Sequence, residues 1–436
     1  MFISNIFKLS SVNLSIILRI LIVFTGVVTT FLVATKLNPE EQGYFYTILS
    51  LLNASIFIEL GLNSILIHLY SRERSNLKIS KNDIFGDYSY LSELCRFILI
   101  WFLSGTLILL LFLIIAFFIF FNDGSYILSF PSWFLIIFFS CFSFLLNPFL
   151  VFFEGIGLLK STYQIKITQV FVSNLIYWFF LILGFGLDAV WIYYMIFSIS
   201  LLFLLYLNHW KILKKIYFQK KNKGLFNWKK DLFSIQYRTA ILAFGGYFFY
   251  SLPIPIIFIF MDPIVAGRFG LTLSVMTAFS ALANGLSAPY ISKFGILIFK
   301  KKIGMTLFLI KSLTKKLLFL SFVFIISYTA FLFIIKLLYI DLFNRFLPIE
   351  FNIIYSISYI ILTLTIPFYS FVRASKKEPL YFIALIIGLT YSLFVYLGSI
   401  YNTISLIPLS FLIFSFIFLF FSIYFFQNEK MKHVNI

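Results

Sequence analysis

Apolar runs of about 20 residues recur along nearly the whole chain, and each is long enough to cross about 30 Å of hydrocarbon as a helix. A soluble bundle would need polar faces on its surface helices, and these runs have almost none. Hydrophobic residues make up 61% of the chain and charged residues 11%, where soluble domains carry about 25% charge. The runs predict an all-α membrane protein of about twelve spans: Leu14–Ala34, Gly43–Ile67, Phe97–Phe121, Tyr126–Phe153, Ile167–Phe185, Ala189–Leu207, Thr239–Phe260, Gly267–Ile291, Leu317–Leu338, Phe351–Phe371, Leu380–Ile400 and Ile404–Phe425. Pro148, Pro289 and Pro367 fall inside spans and are expected to kink them, and Pro253 and Pro255 fall inside the seventh.

Lysine and arginine set the sidedness. Lys8, the cluster from Arg72 to Arg96, Lys160 with Lys166, Lys211 to Lys230, Lys293 to Lys316, Arg373 to Lys377, and Lys430 with Lys432 alternate with loops holding little beyond Lys36, Arg268, Lys336 and Arg345. The rich side is cytoplasmic by the positive-inside rule, which puts both termini inside. The net charge of +18 is therefore mainly a topology signal. Lys211–Lys230 interleaves lysines with Tyr217, Phe218, Phe226 and Trp228. A juxtamembrane patch of this kind attracts anionic lipid, and nucleic acid is not expected as a partner. The first apolar run has span length rather than the shorter length of a cleaved leader.

Two distant stretches share their punctuation. Pro39, Gly43, Phe45, Leu49, Ser50, Ala54, Gly61 and Leu62 stand opposite Pro263, Gly267, Phe269, Leu273, Ser274, Ala278, Gly285 and Leu286 at a constant offset of 224 residues (39 to 263, 61 to 285). Asn147-Pro148-Phe149 echoes Ile366-Pro367-Phe368 at an offset of 219 (148 to 367). The chain reads as two related halves, an organisation found in many transporters. The boundaries expected are an N-terminal six-helix lobe over residues 1–209, a basic cytoplasmic linker over 210–234, a C-terminal six-helix lobe over 235–428 and a cytoplasmic tail over 429–436. Pro39, Gly43, Gly61, Pro148, Pro263, Gly267, Gly285 and Pro367 are the candidate hinge positions.

Catalytic and cofactor signatures are missing. His68, His209 and His433 lack partners at metal-ligand spacing, and no phosphate-binding Gly-x4-Gly-Lys-Ser/Thr loop occurs. Gly155-Ile156-Gly157 and Gly184-Phe185-Gly186 read as helix ends. Cys95 lies at a cytoplasmic edge and Cys141 inside a span, so no disulfide is expected. No metal or cofactor is expected. A polytopic glycosyltransferase or polymerase is the enzymatic alternative, but the outer loops are short; Asp341, Arg345 and Glu350 in the longest read as interfacial charges.

Ionisable groups at membrane depth are costly and usually functional. Arg19 lies roughly 9 Å inside the first span, Glu59 roughly 20 Å from the inner end of the second, and Arg268 roughly 8 Å below the outer surface. Snorkelling to the interface is the plain alternative for the two arginines, and a helix-pinning charge pair is that for Glu59. Asn53, Asn63, Asn147, Asn174 and Asn284 add amides that in hydrocarbon mostly bond between helices.

Leu37-Asn38-Pro39-Glu40-Glu41-Gln42-Gly43-Tyr44, followed by Glu59-Leu60-Gly61-Leu62, resembles the polysaccharide flippases of the multidrug/oligosaccharidyl-lipid/polysaccharide exporter superfamily. Phe371-Val372-Arg373-Ala374-Ser375-Lys376-Lys377 is similar to a seam of that family, with Ser375 where glycine is commoner. The resemblance implies two six-helix lobes around a central cavity, no ATP, and a bacterial cytoplasmic (inner) membrane location. Its implied substrate is an oligosaccharide unit on undecaprenyl diphosphate, for O-antigen, capsule or another surface polysaccharide. Membrane lipid and a polysaccharide polymerase or ligase would be the partners. Arg19 and Arg268, with Asn53 and Asn284, become the candidate substrate-binding residues, and Glu59 the candidate ion-coupling group. Cation-coupled multidrug exporters of the same superfamily are the rival; they would favour carboxylates, and this chain offers one, Glu59.

Overall fold

Residues 10–74, 77–80, 83–121, 127–218, 226–375 and 379–434 are described in the computed structural model. Lys8, Lys81, Lys220, Lys221, Lys223, Lys376 and Lys377, and the last two residues of the expected tail, lie outside them. Among the described residues eleven helices are long and apolar enough to span a membrane. A bent pair, Pro39–Glu59 with Leu62–Glu73, makes a twelfth. The protein is an all-α, multi-pass membrane protein, apart, among the described residues, from one antiparallel hairpin that pairs Leu77–Ser80 with Asp83–Gly86.

Contacts divide the chain into two units, Met1–Leu32 with Leu51–Ala243, and Val33–Ser50 with Phe244–Ile436. In the first, the helices Phe130–Gly155 and Leu159–Ile182 each pack along Asp188–Phe218, and Ser89–Phe120 packs on Phe130–Gly155. Its core buries Tyr70, Phe102, Phe152 and Phe153 completely or nearly so. Local chemistry sets the ends. Ser129 caps Phe130–Gly155 by accepting from the Ser132 N–H. Gly157, at φ +87°, closes that helix in a left-handed turn, with Leu158 N donating to Phe153 O at 2.9 Å. Gly184, at φ +86°, does the same for Leu159–Ile182, which makes both glycine pairs helix ends.

The second unit packs Ile349–Ala374 against Leu406–Val434 and Pro263–Phe299. Phe249, Tyr355, Tyr391 and Phe411 form its aromatic centre; Phe249 stacks on Phe411 with centroids 4.6 Å apart. Two helix starts in this unit use one recipe. Asn38 Oδ1 accepts from the Glu41 N–H at 2.7 Å while Glu41 Oε2 accepts from the Asn38 N–H at 2.9 Å, a reciprocal capping box. Asp262 caps Pro263–Phe299 by accepting from the Ile264 N–H at 2.6 Å. Pro39 and Pro263 occupy the first turn, where a missing N–H costs nothing. The two helices then meet backbone to backbone: a Cβ built on Gly267 would lie 2.9 Å from Gly43 N, and one on Gly43 would overlap the Pro263 carbonyl.

Several boundaries differ from expectation. The second span is not continuous. It passes through a 3-10 turn at Asn53–Ser55, breaks at Leu60–Gly61 and bends by 43°. Pro148, Pro289 and Pro367 lie within continuous helices. Lys211, Lys214 and Lys215, expected in a linker, extend the Asp188–Phe218 helix, and Lys166 sits within Leu159–Ile182 rather than in a loop. Lys293 to Lys316 are mostly helical, because Pro263–Phe299 and Ile303–Leu338 continue to a tight turn in which Lys301 takes φ +56°.

Candidate functional site

Each unit holds its own polar cavity. That of the first measures about 390 Å³. Ser140, Ser143 and Asn147 line it from Phe130–Gly155, spaced at i, i+3 and i+7, so they share one helix face. Lys166, Gln169 and Val170 face it from Leu159–Ile182 at i, i+3 and i+4. Asn53 and Ser55 enter from the 3-10 turn, and Leu18, Ile22, Phe144, Tyr194 and Phe197 supply apolar wall. Gln169 is held by donating from Nε2 to Phe197 O at 3.0 Å. Lys166 Nζ donates to Glu154 Oε2 at 2.8 Å, and Glu154 is not among the lining residues. The lining thus offers amides, hydroxyls and one cation, and no carboxylate.

The second unit's cavity, about 450 Å³, is lined by Pro39, Gln42, Ile264, Arg268, Asp341, Asn344 and Arg345. Arg268 also borders a neighbouring hollow with Lys336 and Glu350. The loop carrying Arg345 is fixed from below. Leu347 N donates to Thr272 Oγ1 at 3.3 Å, and the buried Asn352 accepts from the Tyr328 hydroxyl at 2.7 Å. Gln42 Nε2 donates to Gly267 O at 2.8 Å and to Arg345 O at 3.2 Å, and Arg345 Nη2 donates to Leu37 O at 2.9 Å. Burial pulls the Arg345 guanidinium below its ordinary pKa, and the carboxylates of Asp341 and Glu41 oppose that shift.

Of the expected substrate residues, Asn53 lines the first cavity and Arg268 the second. Arg19 is exposed on Ser11–Lys36 and makes no ion pair among the described residues; its neighbours Leu18 and Ile22 reach the cavity instead. Asn284 is exposed and donates back to Ser280 O at 2.9 Å. Glu59 ends the Ile56–Glu59 turn at the break, with Asn63 as its side-chain hydrogen-bond partner. Glu59 and Arg19 form no salt bridge. Cys95 and Cys141 are both buried and free. Among the described residues no group of histidine, cysteine or carboxylate side chains is placed to hold a metal. The polar stripe Ser140, Ser143, Asn147 and the pair Lys166, Gln169 went unread as a site, although their helical spacing marks a shared face. Gln42 was hidden inside a helix-start motif.

No family model matches the sequence, and no curated protein matches it. Solved structures do match in fold. An inward-facing multidrug resistance MATE family transporter of the MOP superfamily aligns with a TM-score of 0.65 at 11% identity over 95% of this chain and 96% of that one. An outward-facing structure of a multidrug resistance MATE family transporter aligns at 0.56 and 12% identity over 99% and 98%. A MOP superfamily transporter from Pyrococcus furiosus, described as having a binding pocket of reverse polarity that suggests a different function, aligns at 0.52 and 12% over 98% of each chain. The chain shares the fold of these solved structures.

Proposed function

We propose that the protein carries undecaprenyl-diphosphate-linked oligosaccharide units across the bacterial cytoplasmic membrane by ion-coupled alternating access, for O-antigen, capsule or another surface polysaccharide. The observation that carries this reading is the lining of the first unit's cavity, which sets Asn53, Asn147, Gln169, Ser140 and Ser143 beside Lys166, itself paired with Glu154 outside the lining, and includes no carboxylate. Amides and hydroxyls match the donors and acceptors of a sugar. A site for organic cations would favour negative charge, because an opposing charge is the strongest stabiliser of a desolvated cation. Arg19 and Arg268 serve in this scheme as stations for the diphosphate, with Asn53 and Asn284 as polar contacts. Glu59 is the coupling group. It stands at the carbonyl end of a helical turn, where a negative charge is unfavourable and a neutral carboxyl is not. Protonation there would favour the bent arrangement and so bias the conformational equilibrium.

A second reading, a cation-coupled multidrug exporter, is favoured by the multidrug MATE transporters that share the fold. Reconstituted vesicles separate the two. Our reading expects the protein to move a lipid-linked oligosaccharide between leaflets and to leave a cationic dye where it is. Cells lacking the protein should accumulate the linked units on the inner leaflet and lose surface polysaccharide. Gradient-driven dye transport without glycan movement would overturn the proposal in favour of the exporter.

A further inference from the structure

Three buried polar atoms of the second unit have no hydrogen-bond partner among the described residues and belong to residues lining one cavity: Arg268 Nε, Arg345 Nη1 and Gln42 Oε1. A buried polar atom left unpaired costs roughly 1–3 kcal/mol. Gln42 is only 1% exposed, and both of its Nε2 bonds hold the amide in place with the carbonyl oxygen left over. Neither guanidinium makes an ion pair within 4 Å among the described residues, so two cationic donors and one acceptor share the cavity unspent. The carboxylates nearby do not cancel them. Asp341 is in the lining and acts on Arg345 only through space, and Glu41 is engaged in its capping box.

We infer that this cavity is a binding site for a hydroxylated oxyanion, a phosphoryl group carried on a polyol. The guanidiniums would take the phosphoryl oxygens, which their fork geometry suits. The Gln42 carbonyl oxygen accepts only from a donor, so the ligand must bring an O–H as well as a negative charge. Asp341 and Asn344 at the rim suit further hydroxyls. The helix start at Pro39 and the loop at Arg345 are fixed by the bonds described above, so little ordering is left to the binding event. Two sources have this chemistry, the glycerophosphate headgroup of an anionic lipid and a free polyol phosphate. Arg268 is also a diphosphate station in the transport scheme proposed above, but binding of a free polyol phosphate at this cavity is measured without transport and can fail separately from it.

The test uses the full chain in phosphatidylcholine nanodiscs, titrated with glycerol 3-phosphate and, separately, with glycerol. The phosphate should bind and glycerol should not. Arg268→Gln, which removes no bond present in the structure, should weaken binding about tenfold or more, and Gln42→Glu should abolish it by placing an anion beside the phosphoryl group. Arg345→Gln also loses the bond to Leu37, so Arg268→Gln carries the decision if that variant fails to fold. In nanodiscs of phosphatidylglycerol, loss of glycerol phosphate binding by the unmodified protein assigns the site to the lipid headgroup, and retained binding assigns it to a free anion. Absence of binding in phosphatidylcholine, or equal affinity in Arg268→Gln, overturns the inference.

Discussion

Glu59-Leu60-Gly61-Leu62 and Ala283-Asn284-Gly285-Leu286 stand at matched positions of the sequence repeat, yet the first is a break and the second is the interior of an unbroken helix from Pro263 to Phe299. In the first, Leu60 and Gly61 are both left-handed, at φ +48° and +69°. Carbonyls near the bend find side-chain donors. Trp101 Nε1 donates to Ile58 O at 3.0 Å, the Thr239 hydroxyl stands 3.0 Å from Leu60 O and equally from Gln236 O of its own helix, and the Ser64 hydroxyl donates back to Gly61 O at 2.9 Å. In the second, Asn284 and Ser287 merely donate back to carbonyls four residues earlier in their own helix. A glycine permits a break; the break forms where donors wait to satisfy what it frees.

Glu59 has no acidic counterpart, since Ala283 occupies its place. Glu59→Gln should reduce gradient-driven transport to background while exchange without net ion movement persists, measured in vesicles with and without an imposed gradient. Unchanged gradient-driven transport would detach the break from coupling. A merely structural Glu59 would show itself as lost expression instead.

The glycines should part next. Gly61→Ala puts a Cβ on a left-handed residue and 2.8 Å from the Thr239 Cβ, so about 1–3 kcal/mol should be lost. Gly285→Ala meets nothing within 4 Å in a helical site and should add about 0.5–1 kcal/mol. Thermal midpoints in detergent read both. Equal shifts would mean that the two positions are not different environments.

Removing the waiting donor sharpens the contrast. Thr239→Val should cost about 1–3 kcal/mol, because it strips Leu60 O of its hydroxyl partner. Ser287→Ala, which removes a back-bond to a carbonyl already inside a helix, should stay within about 0.5 kcal/mol. Hydrogen exchange across residues 56–66 should quicken only in the first variant.

The smallest effect lies just beyond each stretch. Past the first comes the hairpin, where Lys215 Nζ lies 2.6 Å from Asp83 Oδ1 and holds its carboxyl below the ordinary range. A lowered carboxylate pKa stabilises the folded hairpin above the unfolded value, and that contribution is lost as pH falls through the folded one. Hairpin protection should therefore weaken only below about pH 4 and at high salt. Past the second comes the Lys300–Lys302 turn, which carries no such pair among the described residues and should not respond. There Lys301→Gly should stabilise by no more than about 0.5 kcal/mol, since glycine takes the left-handed conformation freely but loses more chain entropy on folding.

The spans and the duplicated helix starts were legible because hydropathy and capping are local. Asn38-Pro39 and Asp262-Pro263 state their roles within four residues. The break at Gly61 was not legible, because its causes sit at Trp101 and Thr239, far along the chain. Lys166 and Arg345 look like loop charges in the sequence for the same reason. A side chain's position relative to a cavity depends on helices that end well beyond the apolar run, and on caps and crossings that no single window contains.

The stretch Val33–Ser50 belongs with the second unit, and its Gly43 surface lies against Pro263 and Gly267. Synthesis therefore separates partners in time. About 210 residues lie between Ser50 and Pro263, so at 5–20 residues per second the early helix waits on the order of 10–40 s for the surface it packs against. During that interval Gly43, its point of close approach, faces lipid or another protein. The nascent chain must hold one piece of its later half in reserve before that half has been made.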